Sequence, residues 1–174
     1  METQKIAILR GINVGGQRKI LMKDLKQLCD QIGLTEARTY IQSGNVLFFS
    51  KEENKMIEQK LRNAILQKYH FEVPVIVVDQ AVLVQVITKN PFLATSSLEH
   101  LHLTFLEHLP SEEKLKLLDK SIDTPDQFVV YGQFVFVCCH GKYHQSKLTN
   151  NFFEKKLGIT ATTRNWKTVL KLSS

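Results

Sequence analysis

The sequence has few cysteines, no long apolar run and no acidic excess, and each shortage excludes a class of protein. Its three cysteines, Cys29, Cys138 and Cys139, are too few and too irregular for a disulfide framework or a structural zinc site. No apolar run approaches the roughly 20 residues that a membrane helix needs, and residues 1–5 lack the apolar core of a secretory signal. We therefore expect reduced thiols, no membrane partner and a cytoplasmic location.

What the chain contains is typical of a folded domain with a basic surface. Of its 174 residues, 43% are hydrophobic and 23% are charged, which is enough to bury a core. The 23 lysines and arginines outnumber the 17 aspartates and glutamates, so the net charge is +6. This balance favours contact with phosphates, nucleic acid or acidic ligands, although a solvated basic surface is an ordinary alternative.

The first half of the chain has the pattern β-α-β-β-α-β. A helical spacing of apolar residues ends at Gly33, Ser43-Gly44-Asn45 tolerates the positive φ of a tight hairpin, and Pro74 favours an edge strand. The predicted strands are 6–9, 38–42, 46–49 and 73–78, and the predicted helices are 22–32 and 57–65. This order is the ferredoxin-like split motif, in which the fourth strand lies at an edge.

The pattern then starts again after a connecting helix, for which Asp79 is a candidate N-cap and Asn90-Pro91 the end. The second set comprises strands 101–106, 128–131, 134–139 and 159–163, helices that begin near Ser111 and Ser146, and a closing helix with Trp166, Val169 and Leu170 on one face. The predicted fold class is α+β, with two ferredoxin-like plaits in tandem. We divide the chain into 1–79, 80–98 and 99–174, and expect one compact unit because no Pro- or Ser-rich linker separates the halves.

Four segments carry a family resemblance. They are Leu9-Arg10-Gly11-Ile12-Asn13-Val14-Gly15-Gly16, Thr39-Tyr40-Ile41-Gln42-Ser43-Gly44-Asn45-Val46, Ser146-Lys147-Leu148 and Thr162-Thr163-Arg164-Asn165-Trp166. Together they resemble the bacterial family known as domain of unknown function 1697, over essentially the whole chain. The resemblance implies an uncharacterised cytoplasmic protein and supplies no reaction, cofactor or catalytic residue.

The glycine-rich loop at 10–19 is the main candidate for a binding site. Glycines let backbone N–H groups converge on an anion, and three cations flank them. The loop departs from a P-loop, because Gln17 and Arg18 stand where that motif needs Lys and Ser or Thr. The candidate anion-binding residues are Arg10, Gly11, Asn13, Gly15, Gly16, Arg18 and Lys19, with Arg38, Tyr40, Ser43 and Asn45 as secondary candidates. Alternatively, the glycines only permit a sharp connection, with Asn13 in a left-handed or capping role.

Two predicted helix starts extend this site. Ser146 is expected to cap a helix that begins at Lys147, and Thr163 or Asn165 to cap the last helix. If these starts approach the glycine loop, Arg10, Arg18, Lys147 and Arg164 would line one basic pocket. Trp166 would stack on a planar ligand there, or would anchor the core, which is the more frequent role of a lone tryptophan.

Other patterns point to weaker alternatives. Residues 131–137 are similar to the aromatic third strand of an RNA-recognition motif, but the first strand has no aromatic residue, so Phe134 and Phe136 are otherwise read as core. His100 with His102 and His140 with His144 are potential chelating pairs that lack a third ligand, so exposed histidines are the favoured alternative. The acidic residues Asp24, Asp30, Glu112, Glu113 and Asp119 fall on polar helix faces.

No nucleophile or acid–base pair can be identified. Ser43 lies outside the Gly-x-Ser-x-Gly pattern, and Cys138 and Cys139 face opposite ways on a strand, so at most one lines any pocket. The leading hypothesis is a module that binds an anionic small molecule, such as a nucleotide or phosphorylated metabolite, with no cofactor predicted. The alternatives are single-stranded nucleic-acid binding across the sheets and dimerisation through an open sheet edge.

Overall fold

The computed structural model describes residues 1–118 and 122–174, so the predicted acidic position Asp119 lies outside the described residues. The contacts divide the chain into a first unit, Met1–Gln85, and a second unit, Val86–Leu172. In the described ranges, no helix has both the length and the apolar character needed to cross a membrane.

The first unit is an antiparallel four-stranded sheet with two helices. Its elements are β1 (Thr3–Leu9), α1 (Met22–Gln31), β2 (Thr35–Tyr40), β3 (Asn45–Ser50), α2 (Asn54–Tyr69) and β4 (Val75–Asp79), and α3 (Gln80–Ile87) follows. The strand order is β2-β3-β1-β4, which is the order of a ferredoxin-like plait. The prediction of β4 as an edge strand after Pro74 is confirmed.

The second unit repeats this topology. After a 3₁₀ turn at Leu98–His100, its elements are β5 (Leu101–Leu106), α4 (Glu112–Leu118), β6 (Gln127–Tyr131), β7 (Phe134–Cys138), a 3₁₀ turn at Tyr143–Gln145, α5 (Asn150–Leu157), β8 (Ala161–Asn165) and α6 (Trp166–Ser173). The order β6-β7-β5-β8 matches that of the first sheet. The predicted fold class of two tandem plaits is confirmed.

Apolar periodicity explains how each sheet binds its helices. In the first unit, Ala7 and Leu9 of β1 share a core cluster with Leu25 of α1 and with Ile57 and Leu61 of α2. In the second unit, Val135 and Val137 of β7 cluster with Leu118, Phe153 and Leu157. Helices α1, α2, α4 and α5 therefore each present apolar residues to the sheet of their own unit.

Side chains from the second helix of each unit occupy the outward edge of the fourth strand. Glu58 Oε1 accepts from the Val77 N–H at 2.9 Å, and Arg62 Nη2 donates to the Val75 carbonyl at 2.8 Å. Glu154 Oε1 likewise accepts from the Ala161 N–H at 3.0 Å. Because those backbone groups are already bonded, β4 and β8 offer a poor template for another strand.

Candidate functional site

The glycine-rich loop of the first unit is a tight β-hairpin. Val14 and Gln17 form an antiparallel bridge, and the Gln17 N–H donates to the Val14 carbonyl at 3.1 Å. Between them Gly15 and Gly16 have φ values of 59° and 74°, and positive φ at both central positions is the requirement of a type I′ turn. The turn itself therefore accounts for this glycine pair.

Asn13 fastens the hairpin to the unit. Its backbone has a left-handed φ of 55°, as the capping alternative predicted. Its side-chain Nδ2 donates to the carbonyls of Ile20 and Gln42, each at 2.9 Å, and its Oδ1 accepts from the Ile20 N–H at 2.9 Å. One amide thus joins both ends of the loop to the β2–β3 turn.

The same turn contacts the loop through Gly44. With a φ of 84°, a Cβ at this position would lie 2.6 Å from Ile12 Cδ1 and 2.9 Å from Leu9 Cβ. Real Cβ atoms do not approach other atoms this closely, so only glycine fits there. The two longest motifs, 9–16 and 39–46, consequently form one braced surface.

We name residues 10–19 the basic hairpin, and its exposed polar side chains are those of Gln17, Arg18 and Lys19. Arg18 lies with its Nη1 3.3 Å from the position that a Cβ of Gly11 would take, so a side chain at Gly11 would crowd the guanidinium. Within residues 1–118 and 122–174, neither Arg18 nor Lys19 is in an ion pair, and both are exposed. Arg10 is half-buried, and its backbone N–H donates to the Pro74 carbonyl at 3.0 Å.

The secondary candidates take mainly structural roles. Asn45 is fully buried, and its Nδ2 donates to the Tyr40 carbonyl at 2.9 Å and to Ser43 Oγ at 3.2 Å. The expected positive φ occurs at Ile41 and Gly44, whereas Asn45 is the first residue of β3. Arg38 remains exposed on β2. The turn chemistry of this segment therefore explains Ser43 and Asn45.

In the second unit, the prediction for Ser146 is wrong. Helix α5 begins at Asn150 and is capped by Thr149, whose side chain accepts from the Phe152 N–H. The Ser146 hydroxyl instead donates to Asp126 Oδ2 at 2.5 Å and accepts from the Leu148 N–H at 3.0 Å. Lys147 Nζ donates to the Asp123 carbonyl at 2.9 Å, so neither residue stands at a helix start.

The last helix begins as predicted, because Asn165 Oδ1 accepts from the Thr168 N–H at 2.9 Å. Before it, Arg164 is 8% exposed, and its Nη1 donates to Thr162 Oγ1 and to the Thr163 carbonyl, each at 3.0 Å. Burial lowers the pKa of this guanidinium to about 10. The strand, β8, is two residues later than the predicted 159–163.

Trp166 is 1% exposed and packs 6.3 Å from the Phe136 ring, which favours the core-anchor alternative. Phe134 and Phe136 are 5% and 1% exposed, so they offer no ring face on which a base could stack. The core alternative for these two rings is confirmed.

The prediction that the histidines are exposed is wrong for His102, which is 7% exposed. His100 lies in the 3₁₀ turn before β5, and His102 stacks on Tyr143 at 4.5 Å, where burial lowers its pKa. Among the described residues, no group of three His, Cys, Asp or Glu side chains is placed to hold a metal ion.

Sequence reasoning missed two arrangements. A buried lysine, Lys5, donates to Asp79 and to Asn54 at 2.6 Å each, across β1, β4 and α2. In the second unit, His100 and His140 line one cavity with Cys138. Cys139 also lines this cavity although it is 1% exposed, so the prediction that at most one of the two adjacent cysteines lines any pocket is wrong. The pairing of His100 with His140 required the fold.

Comparison with known proteins agrees with this fold. The family model described as protein of unknown function (DUF1697) matches residues 1–136. Because the match covers well over half of the chain, the protein belongs to this family. Segments 146–148 and 162–166 lie beyond the matched range.

A solved structure shares the fold. The conserved bacterial protein from Streptococcus pneumoniae aligns with a TM-score of 0.81 and 23% identity, over 99% of this chain and 98% of that one. At this identity the likeness shows the fold alone. A search of curated proteins found no significant match.

Proposed function

We propose that this protein binds a small anionic molecule, of the nucleotide or phosphorylated-metabolite class, at the basic hairpin. The observation that carries the proposal is the bracing of an exposed, positively charged loop by Asn13 and Gly44. A braced loop whose Arg18 and Lys19 have no ion pair in the described part of the chain is pre-organised for an anion, because little side-chain and backbone freedom remains to be lost on binding.

The guanidinium of Arg18 is the principal ligand-binding group in this proposal. It presents a planar fork of donors that matches phosphate or carboxylate oxygens, and Lys19 adds a second charge. The Asn13 and Gln17 N–H groups are engaged within the hairpin, so these two do not contribute to holding the anion. No step of a reaction follows from these groups, and no enzymatic activity is proposed.

The contribution of the second unit stays a prediction. Arg164 is a buried cation that an anion would stabilise, and Lys147 is exposed. That these residues and the basic hairpin line one pocket remains our prediction. A cytoplasmic location also remains a prediction.

The test is a thermal-shift and calorimetric screen with pyrophosphate, a sugar phosphate, a nucleoside triphosphate and a short oligonucleotide. A ligand at 100 times its dissociation constant should stabilise the protein by about 2.7 kcal/mol. Arg18→Gln should weaken binding by about tenfold or more, since a charge-assisted hydrogen bond is lost. Lys114→Gln, which removes an exposed charge from α4, should leave the affinity unchanged.

Two results would reject the proposal. One is the absence of a shift with any anion, and the other is an equal loss of affinity in Arg18→Gln and Lys114→Gln. A steep fall of affinity with salt, extending over several phosphates, would instead indicate the nucleic-acid alternative.

A second candidate is self-association through β6. Its outward residues Val129 and Tyr131 are 42% and 46% exposed, and its pairing with β7 is regular. The edge strand β2, by contrast, has a register shift between Thr35 and Arg38 and a positive φ at Glu36, which blunts that edge.

Light scattering across a concentration series tests this candidate. If the protein dimerises through β6, Val129→Lys should yield a monomer, whereas Met56→Lys, at an exposed position on α2, should still dimerise. A monomer at every concentration would remove the candidate.

A further inference from the structure

The second unit contains a cavity of about 500 Å³ that is distinct from the basic hairpin. It opens beside the pair formed by Gln127 of β6 and Cys138 of β7. Its volume lies in the range of small-molecule sites. The side chains that matter for its chemistry are Thr95, Ser96, Ser97, His100, Cys138 and His140.

The wall combines a thiol with hydrogen-bonding groups. The Cys138 thiol donates to Ser96 Oγ at 3.2 Å and is half-buried, so it is accessible from the cavity. The imidazoles of His100 and His140 supply ring N–H groups that can donate hydrogen bonds. His100 Nδ1 is buried and without a hydrogen-bond partner among the described residues.

The other two thiols are closed to reagents, although Cys139 also lines the cavity. Cys29 is fully buried and Cys139 is 1% exposed. Burial raises the pKa of Cys29 to about 12 and that of Cys139 to about 11, so both remain protonated at neutral pH. Since the thiolate is the nucleophile, reaction is directed to Cys138.

We propose that this cavity is a binding and modification site for a small disulfide that carries carboxylates, with Cys138 as the reacting thiol. The Cys138 thiolate attacks one sulfur of the disulfide, the original S–S bond breaks, and a mixed disulfide with Cys138 forms. The released thiolate takes up a proton. The hydroxyls and imidazoles of the wall bind the carboxylates, which distinguishes this recognition from the chance reaction of an exposed thiol.

The experiment uses oxidised glutathione, whose disulfide bears carboxylates, and cystamine, whose disulfide bears amines. Intact-mass and peptide mass spectrometry should find one glutathionyl group at Cys138, removable with dithiothreitol and absent in Cys138→Ser. We define the rate ratio as the rate of reaction with oxidised glutathione divided by the rate with cystamine. This ratio should be at least about fivefold higher in the folded protein than in the urea-unfolded protein, which is the size expected from one net hydrogen bond.

Histidine variants test whether the cavity wall recognises the disulfide or whether Cys138 reacts only because it is exposed. His100→Gln combined with His140→Gln should bring the rate ratio down to that of the unfolded chain, whereas the exposed His108→Gln should not change it. Modification of Cys29 or Cys139 before Cys138 would overturn the proposal. So would the same rate ratio in the folded and unfolded wild-type protein.

Discussion

In the first unit, the last residue of β4, Asp79, pairs in register with Lys5 of β1; in the second, the last residue of β8, Asn165, pairs with His102 of β5. A helix follows at once in both cases. Asp79 accepts from a buried lysine, whereas Asn165 caps α6. One strand order therefore tolerates different chemistry at the same register position.

The two units also differ at the next-to-last residue of the fourth strand. Val78 occupies that position in β4 and is buried, as its apolar neighbours are. Arg164 occupies it in β8, although burying a guanidinium is unfavourable. Since the first unit folds with valine at this position, the plait does not require arginine there, which favours a functional role.

The largest expected difference between the units lies in their hairpin turns. Gly44→Ala should lower the free energy of unfolding by about 3 kcal/mol, because the methyl group overlaps Ile12 and Leu9 and the backbone is left-handed. At the turn of the second unit, Gly132→Ala meets only Leu109 at 4.0 Å and should cost about 1 kcal/mol. Urea unfolding followed by circular dichroism measures both, and equal losses would contradict the steric argument.

A smaller effect is expected in how the free energy of unfolding changes with pH. Burial holds the pKa of His102 below its ordinary value, so the unfolded chain binds this proton more readily than the folded one. The stability contributed by neutral His102 is present above the unfolded-state pKa of about 6.5 and is lost as the pH falls through the lower folded value. The urea midpoint should therefore drop less between pH 7.5 and 5.5 in His102→Gln than in the wild type, with the exposed His108→Gln as control. Parallel curves for all three would refute the assignment.

The smallest effect is expected at Arg164. Removing the buried guanidinium relieves its desolvation cost but takes a donor from the Thr162 hydroxyl and the Thr163 carbonyl. Because these effects oppose each other, Arg164→Met should change the free energy of unfolding by less than about 1 kcal/mol. Chemical denaturation against the wild type provides the measurement. A loss of several kcal/mol would mean that the guanidinium holds β8 in place, and the contrast with Val78 would lose its functional meaning.

The fold was predictable because its signals are local. The apolar run ending at Leu9, the helical spacing closed by Gly33 and the alternation in 101–106 each depend on neighbours within a few residues. The start of α5 was misplaced because Ser146 and Thr149 are both acceptable caps. The choice depends on Asp126, which is 20 residues away and occupies the Ser146 hydroxyl.

The candidate site, like the fold, was predictable only in part from the sequence. Its residue types and the turn at Gly15 and Gly16 follow from the sequence, because positive φ at consecutive positions is a property of glycine itself. The roles of Asn13 and Gly44 do not, since each depends on a partner brought by a separate segment: the Gln42 carbonyl for the first and Ile12 for the second.

The sequence by itself determined the order of strands and helices, the net charge and the location of the turns, all of which depend on local conformational preference and composition. Only the tertiary structure decided which cations remain without ion pairs, which of the three thiols face a cavity, and that Trp166 is buried. Those properties depend on burial and on contacts between residues far apart in the chain, and no local pattern encodes them.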